Sequence, residues 1–564
     1  MSCPLIVLKF GGSVLRDEAR LRIAVHEIYR WRRDGYRVVA VVSALQGRTD
    51  ELLARCQAKA GSISPHATAA MASIGEHESA ALLGVLLDRA GIPARTLTPS
   101  ALELLATGDP LDADPVSLDT APITRGLESD GVVVVPGYAA IDEQGRTVVL
   151  GRGGSDLTAL LLAGKLGADK CRLLKDVDGL YERDPAKPGP RPRRFDYATF
   201  DDALATDGSI VQHKALRFAK AANLPFELGR CNHDLPSHIG GDRSELRSFS
   251  HLPRRITVGL LGCGTVGRGV LELLGQMPEW FSVEAIAVRN PESHIAAGVP
   301  AHLLQADAGA VANAGFDVVI EAIGGTDVAG DAVRAAFDAG SHIVTANKAL
   351  IAEQGDSLAK SADRLGRRLL YSAAVGGSTP AAERVGTGLV RQLRGVLNGS
   401  ANYVLNELDT GKTLDEAIAE ATAAGFTEAD PMRDLDGRDS LDKLIVLAKM
   451  AGLPTADLAR ECEPITAKNL SGHAGKVRHV ATLSRESAIV RLETIDEGDA
   501  LFDLPGEWNQ LEIERDDGSI ETVRGRGAGR WPTAESVVAD LLGLAREKQT
   551  QSVLKLRREA TLVA

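Results

Sequence analysis

No apolar run in this chain of 564 residues approaches the ~20 consecutive residues that a membrane-spanning helix needs. The opening MSCPLIVLKF has no charged segment ahead of its apolar stretch, so no secretory leader is expected. Basic residues form no block beyond short pairs and the net charge is −12, which argues against a nucleic-acid partner and for small-molecule work. The six cysteines (Cys3, Cys56, Cys171, Cys231, Cys263, Cys462) are scattered, with no CxxC pair and no nearby histidine cluster. A zinc site is therefore not expected, and reduced thiols in a cytoplasmic protein are. There is no internal repeat and no low-complexity tract. What is present is ordinary for a globular protein: 44% apolar and 25% charged residues. The length predicts about two to four domains.

Residues 5 to 230 alternate strand-like runs (LIVLKF, RVVAVVSA, GVVVVPGY, TVVLG, CRLLKDV) with helix-period stretches (EARLRIAVHEIYRWRRDG, GEHESAALLGVLLDRAG). That rhythm predicts an α/β layered fold. Residues 233–254 mix Gly, Pro, Ser, His and charge without period, and are expected to be a linker. From Ile256 the βα rhythm resumes with ITVGLLG, VEAIAVRN, DVVIEAI, SHIVTANK and RRLLYSAAV. After Gly395 helices around Leu408 and TLDEAIAEATAAG precede the strand-like AIVRLETI and QLEIER, as suits an α+β domain. TAESVVADLLGLAREKQ near the end reads as an amphipathic helix. The expected division is thus 1–232, a linker at 233–254, a Rossmann domain at 255–395, an α+β domain at 396–530, and a terminal helix at 531–564 packing back on the nucleotide domain.

The glycines of VGLLGCGTVGRGV lie between a strand and a helix, the context in which GxGxxG carries a dinucleotide: the backbone passes close to a pyrophosphate held on the helix N-terminus. Gly262, Gly264, Thr265, Val266 and Gly267 are the candidate contacts. A glycine turn of some other α/β protein is the alternative. Arg289, in VRN after the second strand, stands where an acid would hold a ribose 2′-hydroxyl. It favours NADP over NAD if it pairs with a 2′-phosphate, and is otherwise a solvated arginine. Downstream, Asp439 and Lys443 share one helix face four residues apart. Glu428, Asp430, Asp434 and Asp436 precede them; alone, such a pair is more often a surface ion pair.

The ordered series GLLGCGTVGRGV, VVIEAIGG, TANKALIA, YSAAVGGSTPAAERV, GVLNGSANYVLNEL, GFTEADPMRDLDGRDSLDKLIVLA and RGRGAGRWPTAESVVADLL closely resembles homoserine dehydrogenase over about residues 255 to 545. The resemblance implies reversible reduction of L-aspartate 4-semialdehyde to L-homoserine by NAD(P)H. It implies Lys348 and Lys443 as catalytic lysines, and Glu428 and Asp439 as holders of the substrate amino group, with Asp434 in support. An aldehyde oxygen that gains hydride needs a proton donor and a positive charge, and a lysine supplies both. The family also implies a sodium or potassium ion on main-chain oxygens, here those of Val375, Gly377 and Thr379. Ser372 stands where relatives have a glutamate.

In the first half, VLKFGGSV sets Lys9 and a Gly–Gly turn at a strand end, a cation beside backbone N–H groups that suits nucleotide phosphates. No GKS or GKT follows, and a plain strand-to-helix turn is the alternative. With VVSALQGRTDELL, SIGEHESAALL, LGRGGSDLTALLLA and KDVDGLYERDP, this half resembles the amino-acid kinase fold, and aspartokinase within it, over about residues 4 to 230. By that resemblance Lys9, Gly11 and Gly12 contact ATP phosphates, carried with Mg2+. Ser43, Thr49, Glu76, Arg152 and Ser155 line the aspartate site, and Asp176 and Asp178 lie on the nucleotide side. The product is 4-phospho-L-aspartate. The chain departs from the family pattern in GGSV for GGTS or GGSS, KDVDG for TDVDG, and QHKA near an expected HP. No pair of βαββαβ regulatory modules separates the halves in the sequence.

The two halves resemble the first and third steps of one amino-acid biosynthetic route, leading toward threonine and methionine. Two readings stand: a bifunctional aspartokinase and homoserine dehydrogenase, or a dehydrogenase whose front half is a weak kinase-like domain serving assembly or ligand binding. The partners expected are small molecules (aspartate, its semialdehyde, homoserine), with no nucleic acid or membrane. Both families imply a homo-oligomer, dimer or tetramer.

Overall fold

The computed structural model describes residues 3–58, 63–190, 192–247, 255–377, 379–424, 426, 432–527 and 529–563. The chain divides into two compact units, one of Met1–Asp88, Pro93–Pro253 and Arg546–Ala564, the other of Arg89–Ile92 and Arg254–Ala545. Among the described residues no helix is long and apolar enough to cross a membrane.

The first unit is built on a nine-stranded sheet. Its strands in chain order are β1 (Leu5–Phe10), β2 (Arg37–Val42), β3 (Arg95–Thr96), β4 (Val132–Pro136), β5 (Lys170–Leu174), β6 (Arg194–Ala198), β7 (Phe226–Gly229), β8 (Ser237–Ile239) and β9 (Glu245–Arg247). They lie in the order β9-β6-β8-β7-β5-β1-β2-β4-β3. The central pairs β5–β1, β1–β2 and β2–β4 are parallel. LIVLKF and VVVVP are buried at every residue, as strands covered on both faces must be. Helices α1 (Pro65–Arg89), but for its last residue, and α2 (Gly154–Leu166) belong to this unit. Strands Leu105–Asp109, Asp112–Ser117, Ala139–Ile141 and Thr147–Val149 make a separate small sheet.

The expected linker is shorter than composition suggested. Ser237–Ile239 pairs with both β6 and β7, and Glu245–Arg247 pairs with β6. Strands of three residues need little intrinsic propensity because their partners supply the ladder. Residues 248–254, the rest of that stretch, lie outside the described residues.

The second unit carries two sheets. The first is wholly parallel, in the order β12-β11-β10-β13-β14-β15: β10 (Ile256–Leu261), β11 (Phe281–Ala287), β12 (Leu304–Gln305), β13 (Val318–Glu321), β14 (His342–Thr345) and β15 (Leu369–Leu370). Helix α3 (Thr265–Gly275) follows β10 and α4 (Lys348–Arg364) follows β14. This is the doubly wound dinucleotide-binding arrangement, with the glycine turn and Lys348 both at the carboxyl edge of the strands.

The second sheet holds β16 (Val390–Val396), β17 (Ala459–Cys462), β18 (Val477–Leu483), β19 (Ser487–Thr494), β20 (Trp508–Arg515) and β21 (Ile520–Arg526), ordered β17-β19-β18-β16-β20-β21. The Rossmann boundary expected at 395 therefore falls too late. β16 pairs antiparallel with β18 and β20, so it belongs to the α+β part, and the transition lies between Leu370 and Val390. Helices α5 (Gly399–Asp409) and α6 (Arg438–Met450) accompany this sheet. Helix α7 (Arg530–Val563) closes the chain. Ala534, Val537, Val538, Leu541, Leu542 and Ala545 share a core with Val258, Leu260 and Val270 of the nucleotide fold. Arg546–Ala564, also expected on that fold, group with the first unit.

Candidate active sites

In the second unit each glycine of the turn after β10 has its own reason. Gly262 has φ +94, and a Cβ there would stand 2.5 Å from the Ala322 carbonyl oxygen. A Cβ on Gly267 would stand 2.2 Å from the Gly262 oxygen, so α3 can approach the turn only without one. A Cβ on Gly264 would meet nothing within 4 Å. Two glycines thus build the turn, and the third faces open space at the N-terminus of α3, where a dinucleotide's pyrophosphate sits in this fold. Thr265 and Val266 begin α3, and Arg289 is exposed just beyond β11.

Lys348 opens α4, whose N-cap is Asn347: its Oδ1 accepts from Leu350 N–H at 3.1 Å. Asn347 is in turn tied to the wholly buried Glu321, which accepts from Thr345 Oγ1, from Asn347 Nδ2 and from the N–H groups of Ile323 (3.0 Å) and Gly324 (3.1 Å). The ends of β13 and β14 are locked together below Lys348.

From the other side α6 presents Asp439 and Lys443. Asp439 Oδ1 pairs with Lys348 Nζ, and its Oδ2 takes Lys443 Nζ at 2.9 Å and Asn398 Nδ2 at 3.1 Å. Lys443, only 3% exposed, also donates to the Leu397 carbonyl oxygen at 2.5 Å. That oxygen takes a second bond from Asn509 Nδ2, at 2.9 Å. One carboxylate thus bridges two ammoniums. Burial pushes the Lys443 amine down and Lys348 adds repulsion, against the pull of Asp439. Burial also opposes the charge on Lys348, but Asp439 outweighs it and the pKa rises. The Asp439 carboxyl, despite its burial, is held well below the usual range by the two lysines.

Asp434 lies close enough to stabilise both ammoniums. Glu428 and Asp430 lie outside the described residues. The resemblance gave Asp439 the substrate's amino group. Both its oxygens are already engaged by this chain's own donors, Lys348, Lys443 and Asn398. Asn398 and Glu321 escaped sequence reading. The cap-like NGSAN and TANK, each with Asn before a helix, were the signal available.

Val375 ends the short helix Ala373–Gly376 together with Gly376, Gly377 has φ +52, and Thr379 is buried. The Thr379 hydroxyl has no hydrogen-bond partner among the described residues, while its carbonyl oxygen accepts from Ala381 N–H at 2.8 Å.

In the first unit Lys9, on β1, and Lys175, just beyond β5, stand at the carboxyl edge of adjacent parallel strands. Both reach Asp156 in the first turn of α2: Lys9 Nζ to Oδ1 at 2.7 Å, Lys175 Nζ to Oδ2 at 2.8 Å and to Oδ1 at 3.1 Å. Burial lowers the Lys9 pKa to about 8, with Lys175 adding to the effect against Asp156. Asp156, though buried, is held low by the two lysines. Gly11 and Gly12 form the turn between them. A Cβ on Gly11 would stand 3.3 Å from the Leu174 oxygen, and one on Gly12 3.1 Å from the Ala44 oxygen.

Glu76, on α1, is 4% exposed, and its Oε2 has no hydrogen-bond partner among the described residues. Burial raises its pKa to about 7, against a backbone bond from Ala44 and the attraction of Lys9. Ser43 follows β2, Thr49 lies in the helix Arg48–Gln57, and Ser155 is buried beside Asp156. Arg152 is exposed on the loop that leads into α2. Asp176 is exposed too, whereas Asp178 is taken up by Tyr181 Oη at 2.7 Å and by Arg194 at 3.5 Å.

The departing QHKA segment packs on the glycine loop. A Cβ on Gly153 would meet Gln212 at 2.6 Å, and Lys214 binds Asp112 at 2.7 Å and the Leu150 oxygen at 3.1 Å. Tyr138, which sequence reading passed over, has φ +68, and its ring lies against Gly154, where a Cβ would stand 2.8 Å from Cδ2. A left-handed tyrosine costs about 1–3 kcal/mol and marks functional sites.

Comparison with known proteins agrees with this division. The amino acid kinase family profile matches residues 4–229, the NAD-binding domain profile of homoserine dehydrogenase residues 262–372, and the homoserine dehydrogenase profile residues 380–542. An aspartokinase from Pseudomonas aeruginosa is 36% identical over 227 residues, 40% of this chain and 55% of that protein. The chain thus spans about half the length of the aspartokinases it matches. A solved homoserine dehydrogenase from Thiobacillus denitrificans is 30% identical, covering 52% of this chain and 74% of that one at a TM-score of 0.48. A homoserine dehydrogenase from Pseudomonas aeruginosa is 34% identical over 316 residues, 52% of this chain and 72% of that protein. The chain therefore belongs to the homoserine dehydrogenase family, and the stretch in front of that region matches the amino acid kinase family profile.

Proposed function

We propose that the chain is a bifunctional enzyme of aspartate-derived amino-acid synthesis. Its second unit interconverts L-aspartate 4-semialdehyde and L-homoserine with NAD(P)H, and its first transfers a phosphoryl group from ATP to the 4-carboxylate of L-aspartate. The observation that carries the reading is the bridging of Lys348 and Lys443 by Asp439 at the edge where the glycine turn leaves room for a dinucleotide.

A bound nicotinamide would supply the hydride. Gly262, Gly264, Thr265, Val266 and Gly267 would hold its pyrophosphate, and Arg289 a 2′-phosphate, which favours NADP. The chain's own residues do the rest. Lys443, anchored by the Leu397 carbonyl, holds a proton for the alkoxide that develops from the aldehyde, and Lys348 adds positive charge beside it. Asp439 keeps the two ammoniums from repelling each other apart. Asp434, with Glu428, takes the substrate ammonium. A monovalent cation beside Val375 and Gly377 would find the unpartnered Thr379 hydroxyl.

In the first unit Lys9 and the Gly11–Gly12 turn hold phosphates, with Mg2+ carried on the nucleotide and Asp176 on that side. Arg152 clamps the substrate's carboxylate, and Glu76, with Ser43, Thr49 and Ser155 around it, takes its ammonium. The unpartnered Glu76 oxygen favours this over an inert front domain.

Two assays on the full chain test the reading: NADPH consumption with aspartate semialdehyde, and trapping of the acyl phosphate by hydroxylamine with ATP and aspartate. Lys443→Ala should abolish the first and spare the second, and Arg152→Ala the reverse. Hydroxamate no greater than that of Arg152→Ala would refute the kinase half, and unchanged reduction by Lys443→Ala the dehydrogenase half.

A further inference from the structure

The family resemblance implies no role for Lys175, which opens KDVDG where the family has TDVDG. Its position is nonetheless specific. It leaves β5 one residue after Leu174, whose carbonyl oxygen holds the Gly11 N–H at 3.2 Å. A Cβ on Gly11 would stand 3.5 Å from Lys9 Nζ and 3.6 Å from Lys175 Cδ, so the two side chains flank the glycine turn. Both amines bond Asp156, and the side chains of Lys9, Lys175 and Asp156 are 5%, 13% and 3% exposed. Two ammoniums with one carboxylate leave an excess positive charge in a buried place. Such an arrangement is costly unless an anion completes it. The counter-charge that suits it is the phosphoryl group passing between two oxygens.

We propose that Lys175 is a second phosphoryl-binding cation of the kinase site: with Lys9, and held apart from it by Asp156, it contacts the transferring group and neutralises its charge. The inference rests on the kinase reading given above and goes beyond it in assigning this lysine. The step balances without proton movement. An oxygen of the 4-carboxylate forms a bond to the γ-phosphorus, the bond from that phosphorus to the β,γ-bridging oxygen breaks, and ADP leaves with the electron pair. The nucleophile is already an anion, so no base is needed, and the protein's contribution is charge and position. Asp156 is then a positioning residue, because its oxygens are spent on the lysines.

The test uses the full chain with Lys175→Thr, which restores the family's residue, and Lys175→Arg, which keeps the charge. Semialdehyde reduction serves as the check of folding. Hydroxamate formation by Lys175→Thr should fall by about 10²–10³ in kcat, as for loss of one transition-state donor, with the KM for aspartate little changed and partial recovery in Lys175→Arg. Binding is read separately, with ADP alone and with ADP plus aluminium fluoride, which mimics the phosphoryl group in flight. Lys175→Thr should lose the fluoride-dependent gain in affinity and keep the affinity for ADP. Equal loss of both would make Lys175 merely structural and overturn the proposal, as would Lys175→Thr activity within about threefold of the parent. A parent chain that makes no hydroxamate would overturn the kinase reading and this inference with it. Hydroxamate from the parent and equally from Lys175→Thr would overturn this inference alone.

Discussion

Replacing Asp439 with Asn keeps the side chain's size and removes its charge. The wild-type carboxylate answers Lys348, Lys443 and Asn398 together, and among the described residues Lys443 bonds besides it only the Leu397 carbonyl. Removing one partner of a buried pair costs about 3–5 kcal/mol. For a unit of this size each kcal/mol moves the melting temperature by about 2–4 °C, so a fall of roughly 6–20 °C is expected in the transition of the dehydrogenase unit. The pH dependence is the sharper signature. Asp439 has a folded pKa below its unfolded value. Its stabilisation is therefore fully present above about pH 4 and is lost only in stronger acid. Lys443 already has a lowered pKa, and without the carboxylate it falls further. A lysine of that kind destabilises the fold below its folded pKa, and the penalty fades as pH rises through it. The melting deficit of Asp439→Asn should thus be wide near pH 7 and narrow toward about pH 10. Scanning calorimetry of the full chain reads this directly, and semialdehyde reduction should fall by about 10²–10⁴ alongside. A deficit under about 2 °C, or one equal at both pH values, would refute the bridging role.

Gly264→Ala should weaken NADPH binding without lowering the melting temperature, since its Cβ meets no protein atom, whereas Gly267→Ala, aimed 2.2 Å from a carbonyl oxygen, should lose both; fluorescence titration with thermal melts separates the two. Glu76→Gln should stabilise the kinase unit at alkaline pH and not in acid. A carboxyl raised to about 7 costs stability progressively between its unfolded pKa and that value, by on the order of 1 kcal/mol per pH unit. The same variant should lose the fall in aspartate affinity that protonation of Glu76 produces below about pH 7, measured as KM against pH. Arg289→Ala should lower the NADPH-to-NADH preference in kcat/KM by about tenfold or more, the worth of one charge-assisted contact, and an unchanged ratio would leave Arg289 a solvated arginine.

The dinucleotide fold was legible because its signals are local. Alternating Ile256, Val258 and Leu260, the glycines, and the apolar period of α3 lie within one continuous stretch. The strands at 237–239 and 245–247 were not, since strands of three residues are decided by their partners, here above all β6, some forty to fifty residues earlier. VRQLRGV was missed for the same reason: its neighbours β18 and β20 begin more than eighty residues later. At the sites, Lys9, Lys348, Asp439 and Lys443 could be named because motifs carry them. The bond from Lys175 to Asp156 joins the end of a strand to the first turn of a helix nineteen residues earlier, and no periodicity marks such a meeting. Asn398 and Glu321 act on other residues: the cap-like NGSAN marks Asn398 as a helix start and not as a partner of Asp439, and no motif marks Glu321.

The Leu397 oxygen, which steadies both Lys443 and Asn509, has a bearing on how this protein can change. Its service comes from the peptide unit, so any apolar residue of similar bulk could occupy the position and do the same work. A survey of tolerated replacements would then score 397 as permissive while the geometry it enforces stays constant. Drift at that site would be silent in function, and a comparison of side-chain identities would pass over one of the fixed points of the reducing centre.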